Sequence, residues 1–314
     1  GQRNSDCGDG VVTRLSVVVT IVDGGATLDR CLGALNEQVG GPELEVIVPW
    51  DDSVQGIAAL ERRFPRFRFL ALGRLDTLRP KPSPAGQHEL FDRRRAAGLA
   101  IAGGELVAIL EDRGVPRSDW AARVSELHAG LSHAVIGGAI QNGRNRSLNW
   151  AVYFCDFGRY QLPFEAGPRP YVSDVNICYK RRALEKTREL WASRYHETTV
   201  HWALQRDGEV LWLDPSFAVD QMRDGVTLGG VLSERIGWGR LFAYTRARET
   251  SLLRLIVLAA LCPVLPFVLL LRHLRMQFQK RVNAWRFVAV SPVVFLLLAA
   301  WSFGELIGYI TRRP

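Results

Sequence analysis

Residues 111 to 113 place Glu111, Asp112 and Arg113 at the end of the apolar run ELVAIL, and more acids follow earlier apolar runs: Asp23 after LSVVVTIV, then Asp51 and Asp52 after EVIVPW. Ligands of open α/β sheets gather at the carboxyl ends of the strands, so acids at these points are placed to hold a charged substrate or its metal ion. The chain has no GxxxxGK[ST], and Gly24-Gly25 lacks the GxGxxG spacing, which excludes a P-loop and a dinucleotide fingerprint. Carboxylates without a P-loop suit a nucleotide's base and ribose, with a diphosphate bridged by a divalent ion. Taken singly, each Asp also suits a turn or helix cap. HETTVH at 196 to 201 is not a zinc-protease motif, because histidines five apart point about 140° away from each other around a helix. Glu197 and His201, at i and i+4, share a helix face.

The elements that must position these residues repeat in order. LSVVVTIV (15 to 22) precedes an amphipathic stretch from Thr27 to Asn36. EVIV (45 to 48) precedes a helix over about 55 to 63, RFLAL (68 to 72) one over about 90 to 102, and ELVAIL (105 to 110) one from about Ser118. Four βα units in series predict a parallel sheet with helices on both faces. Beyond residue 134 the rhythm changes. AVIGGAI, VNICYK (175 to 180) and EVLWL (209 to 213) read as strands and Thr198 to Arg206 as a helix. PKPSP (80 to 84) and the aromatic, Pro/Gly-rich stretch 148 to 172 read as loops.

The chain has 314 residues and a net charge of +8, unevenly spread. Residues 235 to 314 hold 12 Lys and Arg against Glu249 and Glu305, about +10, which leaves about −2 for the first 234. The same segment contains apolar runs at 252 to 271 and 288 to 310, so the basic surface points to a membrane rather than to nucleic acid. Pro263 and Pro266 break the first run. It is expected to be re-entrant or interfacial, with 288 to 310 as the span and 272 to 286 as a basic linker. Five scattered cysteines support neither a disulfide framework nor a zinc site. The polar start, GQRNSDCGDG, lacks the apolar core of a signal peptide, so the large domain is expected on the cytoplasmic side of the membrane.

Four segments, SVVVTIVDGGATLDRCLGAL, EVIVPWDDS, RRRAAGLAIAGGELVAILEDRGVPRSDW and YHETTVHWALQRDG, occur in an order that resembles the family 2 glycosyltransferases of GT-A fold, over roughly residues 14 to 250. The tail is similar to that of a membrane-attached subset. The resemblance implies a flexible N-terminus (1 to 13), an α/β GT-A catalytic domain (14 to 250) and a membrane-associated helical region (251 to 314). It implies that Asp23 and Asp51 hold the uracil and ribose of a nucleotide sugar, with Arg95 near the donor.

Glu111 and Asp112 then occupy the first two places of the family's DxD motif, which binds the diphosphate through Mg or Mn, and Arg113 takes the last. A guanidinium cannot ligate a metal but pairs with phosphate oxygens, so the metal contact is expected to be weak. Glu197 matches the general base of an inverting transfer, with Thr198 in place of the family's second acid. Asp174 is next in line as base, and Asp174, Asn176 and Trp150 are expected at the acceptor or sugar pocket, beside the aromatic stretch 149 to 171.

No QxxRW motif is present, so transfer of one sugar to a lipid-linked or glycan acceptor is expected. Arg235, Arg240, Arg246 and Arg248 are placed to meet lipid phosphates. Oligomeric state is left open, a homo-oligomer included. The departures at Arg113 and Thr198 also fit a second reading, a catalytically inactive GT-A scaffold that binds a nucleotide sugar or a partner synthase.

Overall fold

The computed structural model describes residues 14 to 247 and 250 to 313; the expected flexible N-terminus, Cys7 and Arg248 lie outside them. The four βα units form as the periodicity predicts: β1 (Leu15–Thr20), α1 (Gly25–Asn36), β2 (Leu44–Trp50), α2 (Ile57–Arg63), β3 (Arg68–Ala71), α3 (Pro84–Ile101) and β4 (Leu106–Glu111). β1 is buried at every position and pairs in parallel with both β2 and β4, which is why it reads as a continuous β-branched run. Helix α3 begins earlier than expected. Ser83 caps it by accepting a hydrogen bond from the Gly86 amide, and Pro84 occupies its first turn, where the missing N–H costs nothing. Gly98 lets α3 lie directly on the sheet, since a Cβ there would stand 2.5 Å from Val18 Cγ1.

The second half, where the rhythm of the sequence changes, mixes parallel and antiparallel pairs. It comprises β5 (Gly114–Pro116), α4 (Trp120–Gly130), β6 (Val135–Asn142), α5 (Ser147–Asp156), β7 (Gly167–Pro168), β8 (Asn176–Lys180), α6 (Arg181–Lys186), α7 (Arg188–Trp191), α8 (Glu197–Arg206) and β9 (Leu211–Gln221). The sheet order is β3-β2-β1-β4-β8-β6-β9-β5, with β7 on β9. β8 runs antiparallel to β4 and to β6, because the chain enters it at the carboxyl end of β4, with Asn176 opposite Leu110. That reversal carries Asp174 to the end of the sheet where Glu111 lies.

Two other expectations are corrected. The first part of the aromatic stretch is helix α5, whose apolar face builds a second core with Phe287, Val290 and Val294. β9 continues past Pro215 because its register shifts between Gly138 and Ala139, a bulge that absorbs the proline.

The remaining helices are α9 (Leu228–Ala247), α10 (Leu252–Leu261), α11 (Leu265–Lys280) and α12 (Ala284–Thr311). α9 was not foreseen, since its four glycines argue against a helix in sequence. They serve packing instead. A Cβ on Gly239 would meet the Trp301 carbonyl, and Gly304 and Gly308 of α12 face the backbone of Ile236 and Arg240 in the same way. α10 and α11 meet at a 69° bend around Pro263, and the expected linker is helical as far as Lys280. Among the described residues α12 is the one single helix long and apolar enough to cross a membrane.

Candidate active site

A cavity of about 480 Å³ opens at the carboxyl end of the sheet. Its walls come from the ends of β1 and β4, from α3, from the loop before β8, from the start of α8, and from α5, α9 and α12. Arg95, Glu111, Arg113, Asp174 and Glu197 all line it, although Arg95 and Glu197 stand 102 positions apart in the chain.

Arg95 organises one wall. Seated by the close fit of α3 at Gly98, its guanidinium lies 3.1 Å from Glu111, 3.1 Å from Asp174 and 3.5 Å from Asp92, while its Nε donates to Thr20 Oγ1. Burial raises the Glu111 pKa, with Arg95 opposing. The neighbouring Arg94 points to the other side of β1. Its guanidinium donates to Asp51 Oδ2 at 2.7 and 2.9 Å and to the Ile21 carbonyl. Burial works against the Asp51 charge, but the Ser53 hydroxyl and amide and Arg94 hold its pKa below the ordinary value. Asp51 is thus a buried partner of Arg94 and does not line the cavity.

The triplet at 111 to 113 divides its labour. Asp112 is completely buried and accepts backbone hydrogen bonds from Asp23 (3.1 Å) and Gly24 (2.7 Å), fixing the turn after β1. Burial pushes its pKa up to about 7, against the Gly24 hydrogen bond and with help from Asp23. Arg113 turns outward and forms a two-pronged pair with Asp23, at 2.5 and 2.7 Å, at the mouth of the cavity.

Glu197 is the first residue of α8, with its side chain 28% exposed to the cavity. Its Oε2 accepts from the Asp174 amide at 3.3 Å. Burial first, and then the Asp174 carboxylate, push the Glu197 pKa well above the ordinary value. Behind it, Glu197 Oε1 lies 3.7 Å from His201 Nδ1, and His201 Nε2 meets the Tyr179 hydroxyl at 2.7 Å, which pairs with Tyr195. Burial lowers the His201 pKa to about 4, so this support is a neutral ring. His196 bonds instead to Thr199, so the two histidines of HETTVH do not converge.

Two expected pocket residues lie elsewhere. Asn176 is buried, donating to the Ala139 carbonyl and accepting from Trp120 Nε1. Trp150 packs in the second core, its Nε1 on Asn145 and its ring under Arg286. The structure adds cavity residues that the sequence reading did not single out. Asp92 stands one turn before Arg95, and His88 lies edge-on to Trp238 at 5.0 Å. Trp301 reaches in from α12, and Arg235, expected at lipid phosphates, is instead buried in the cavity wall and pairs with Asp156 at 2.6 Å. The i, i+3 spacing of Asp92 and Arg95 was a readable signal; Trp238 and Trp301 depend on how the last helices pack.

For the metal expected at Glu111 and Asp112, the donor set does not fit. Both Asp112 oxygens face backbone amides, Glu111 faces Arg95, and the third place is a cation. No group of three or more His, Cys, Asp or Glu arranged to hold a metal ion is found among the described residues.

No protein-family model matches the chain, and no curated protein sequence matches it. Solved structures do. The mannosyltransferase PcManGT from Pyrobaculum calidifontis, determined in complex with GDP-Man and Mn2+, is 15% identical with a TM-score of 0.54, covering 94% of this chain and 87% of that one. S. aureus TarS 1-349 is 12% identical with a TM-score of 0.46, covering 94% and 90%. Its complex with UDP-GlcNAc gives 11% and 0.48, covering 95% and 91%. The chain therefore has a GT-A-like glycosyltransferase fold, a mixed α/β arrangement around a mostly parallel central sheet, followed by an apolar helix of membrane-span length.

Proposed function

We propose that the protein is a membrane-bound inverting glycosyltransferase that moves one sugar from a nucleotide sugar, with a UDP-sugar as the expected donor, to a lipid-linked or glycan acceptor in cell-surface polysaccharide or glycolipid synthesis. Residues 14 to 250 would form its catalytic domain, on the cytoplasmic side, and 251 to 314 its membrane-associated region. The observation that carries the reading is the pairing of Glu197 with Asp174 in a cavity that Arg95 and Arg113 also line.

In this reading Glu197 takes the proton of the acceptor hydroxyl, whose oxygen attacks the anomeric carbon as the bond to the diphosphate breaks and its electron pair leaves with the phosphate. A raised proton affinity suits Glu197 to that task, and Asp174 and His201 fix its carboxyl. Arg113 neutralises the diphosphate by exchanging its Asp23 partner for phosphate oxygens, while Asp23 turns to the nucleoside. The related fold binds Mn2+ with its GDP-Man. Because the donor set at 111 to 113 does not suit a metal, no step here is routed through one.

A thermal-shift panel of UDP-, GDP- and dTDP-sugars, followed by measurement of nucleoside diphosphate release with lipid acceptors, tests this. A donor that raises the melting point and is turned over supports transfer. Binding without turnover favours the scaffold reading, for which the internally paired Arg113 and the Thr198 replacement speak. No shift with any sugar nucleotide overturns both.

A further inference from the structure

The last apolar helix has the length of a membrane span, but its packing is that of a helix lying along the domain. Its buried residues, Phe287, Val290, Val294, Leu297, Ser302 and Tyr309, run from one end to the other. They face α5 and α9, which are parts of the globular domain that also wall the cavity. Both ends are fastened to that same domain: Arg286 stacks on Trp150 of α5 at 4.6 Å, and Arg240 of α9 donates to the Arg313 carbonyl at 3.1 Å. In between, the backbone of Gly304 and Gly308 touches that of Ile236 and Arg240. A helix crossing a bilayer has its ends in different aqueous phases. To cross, α12 would have to draw α9 into hydrocarbon with Glu234, Arg235, Arg240 and Arg246, where charged side chains are strongly disfavoured.

The face of α12 turned away from the domain is apolar. Ala289, Pro292, Leu296, Phe303 and Ile310 form one exposed stripe at helical spacing. α10 and α11 continue it with Leu253, Val257, Leu261, Phe267, Val268 and Leu271, all exposed. Neither suits a crossing: α10 has ten residues, about 15 Å, and the 69° bend prevents the pair from acting as one rod. Arg272, Arg275, Arg281 and Arg286 are exposed at one edge of this surface, matching the charge of anionic headgroups.

We infer that α10, α11 and α12 lie in one leaflet, parallel to the membrane surface, and that residues 252 to 313 do not cross the bilayer. The partner is a lipid leaflet with anionic headgroups at the arginine edge. This rests on the membrane partner proposed above and not on glycosyl transfer. Trp301 lies on the opposite face of α12, turned to the cavity and to Phe242 of α9, so one helix carries both the proposed lipid stripe and part of the cavity wall.

The test uses the full chain in sealed right-side-out and inside-out vesicles from the expression host. Single cysteines are added at exposed positions as Asp207→Cys, Gln279→Cys and Arg313→Cys in a Cys7→Ser background. They are probed with a membrane-impermeant maleimide, with the background chain as blank. All three are expected to react from one and the same face. Because α12 lies between positions 279 and 313, labelling of these two from opposite faces would show a crossing and overturn the inference. Agreement of 279 and 313 with each other but not with 207 would do the same by placing the crossing before 279. If the chain does not sediment with the vesicles at all, the membrane reading itself falls, a result distinct from either labelling pattern.

Discussion

The Arg95 guanidinium meets the Asp174 carboxylate at 3.1 Å, so that a helix from the first half of the chain is tied to the loop that leads into β8 in the second. The same guanidinium reaches Glu111 and Asp92, so one cation balances three acids in a largely buried place. Arg95→Ala would leave these carboxylates without their partner and is expected to cost about 3–5 kcal/mol of stability. Arg95→Lys keeps the charge but not the fork and should recover only part of it. Chemical denaturation of the two variants measures this; equal, near-zero losses would show that the acids do not depend on Arg95.

Glu197→Gln is expected to lower the turnover rate by roughly a hundred- to ten-thousand-fold while donor binding stays unchanged. The pH profile supplies an independent check. A general base works deprotonated, so the rate falls as pH drops through its pKa. Burial and Asp174 raise that pKa, so the acid limb should lie well above the ordinary Glu value of about 4.3. An acid limb at the ordinary value, or activity retained by the Gln variant, would assign the role to another group, with Asp174 the first to try.

Arg113→Ala should weaken donor binding roughly ten- to hundredfold, the loss expected for one charge-assisted contact to phosphate. Asp23 holds Arg113 by two hydrogen bonds at the cavity mouth, so Asp23→Asn should weaken donor binding as well, by loss of its nucleoside contact. Isothermal titration with and without EDTA reads both effects. Donor affinity that collapses on chelation would mean that a metal, and not Arg113, carries the phosphate charge.

Gly98→Ala places a methyl group 2.5 Å from Val18 Cγ1 and 2.8 Å from Pro49 Cγ, with sheet atoms on both sides. The expected cost is about 1–3 kcal/mol of stability, because α3 must shift off the sheet. The same shift moves Arg95, so donor affinity should fall together with the melting temperature.

His128 is buried, and burial with the nearby Lys180 cation pushes its pKa down to about 4. The unfolded chain takes up this proton first as pH falls below about 6.5, so stability present at neutral pH is lost on acidification, by about 2 kcal/mol at pH 5 from this residue alone. His128→Leu removes the term. Its melting temperature should fall less than that of the native chain between pH 7 and 5, and parallel curves would show that His128 is not held neutral.

Local pattern was enough for the βα units. β1 is buried on both faces, so its apolar run is continuous, and Glu111 falls at the strand end where the hydrophobic stretch stops. Of the residues expected at the site, Arg95, Glu111, Arg113 and Glu197 from the quoted segments and Asp174 from outside them line one cavity. What could not be read depends on long-range partners. Asp112 and Arg113 are adjacent and equally polar, and only the backbone amides of Asp23 and Gly24 decide that one turns inward. Asn176 resembles a ligand in sequence, but Trp120 and Ala139 occupy it. Helix α9 is hidden by glycines whose purpose appears only when α12 is laid against them.

Trp301 belongs at once to the apolar C-terminal helix and to the wall of the candidate active-site cavity, and the Gly239 backbone packs against its carbonyl from α9. In the proposed function, anchor and catalyst are therefore one physical object. A shortened chain ending before Ala284 would uncover the α5 and α9 faces and open the cavity on one side. Under the proposed lipid contact, a change in lipid thickness or headgroup charge acts on the same helix that walls the cavity, so the membrane's composition becomes a variable of the proposed reaction in its own right.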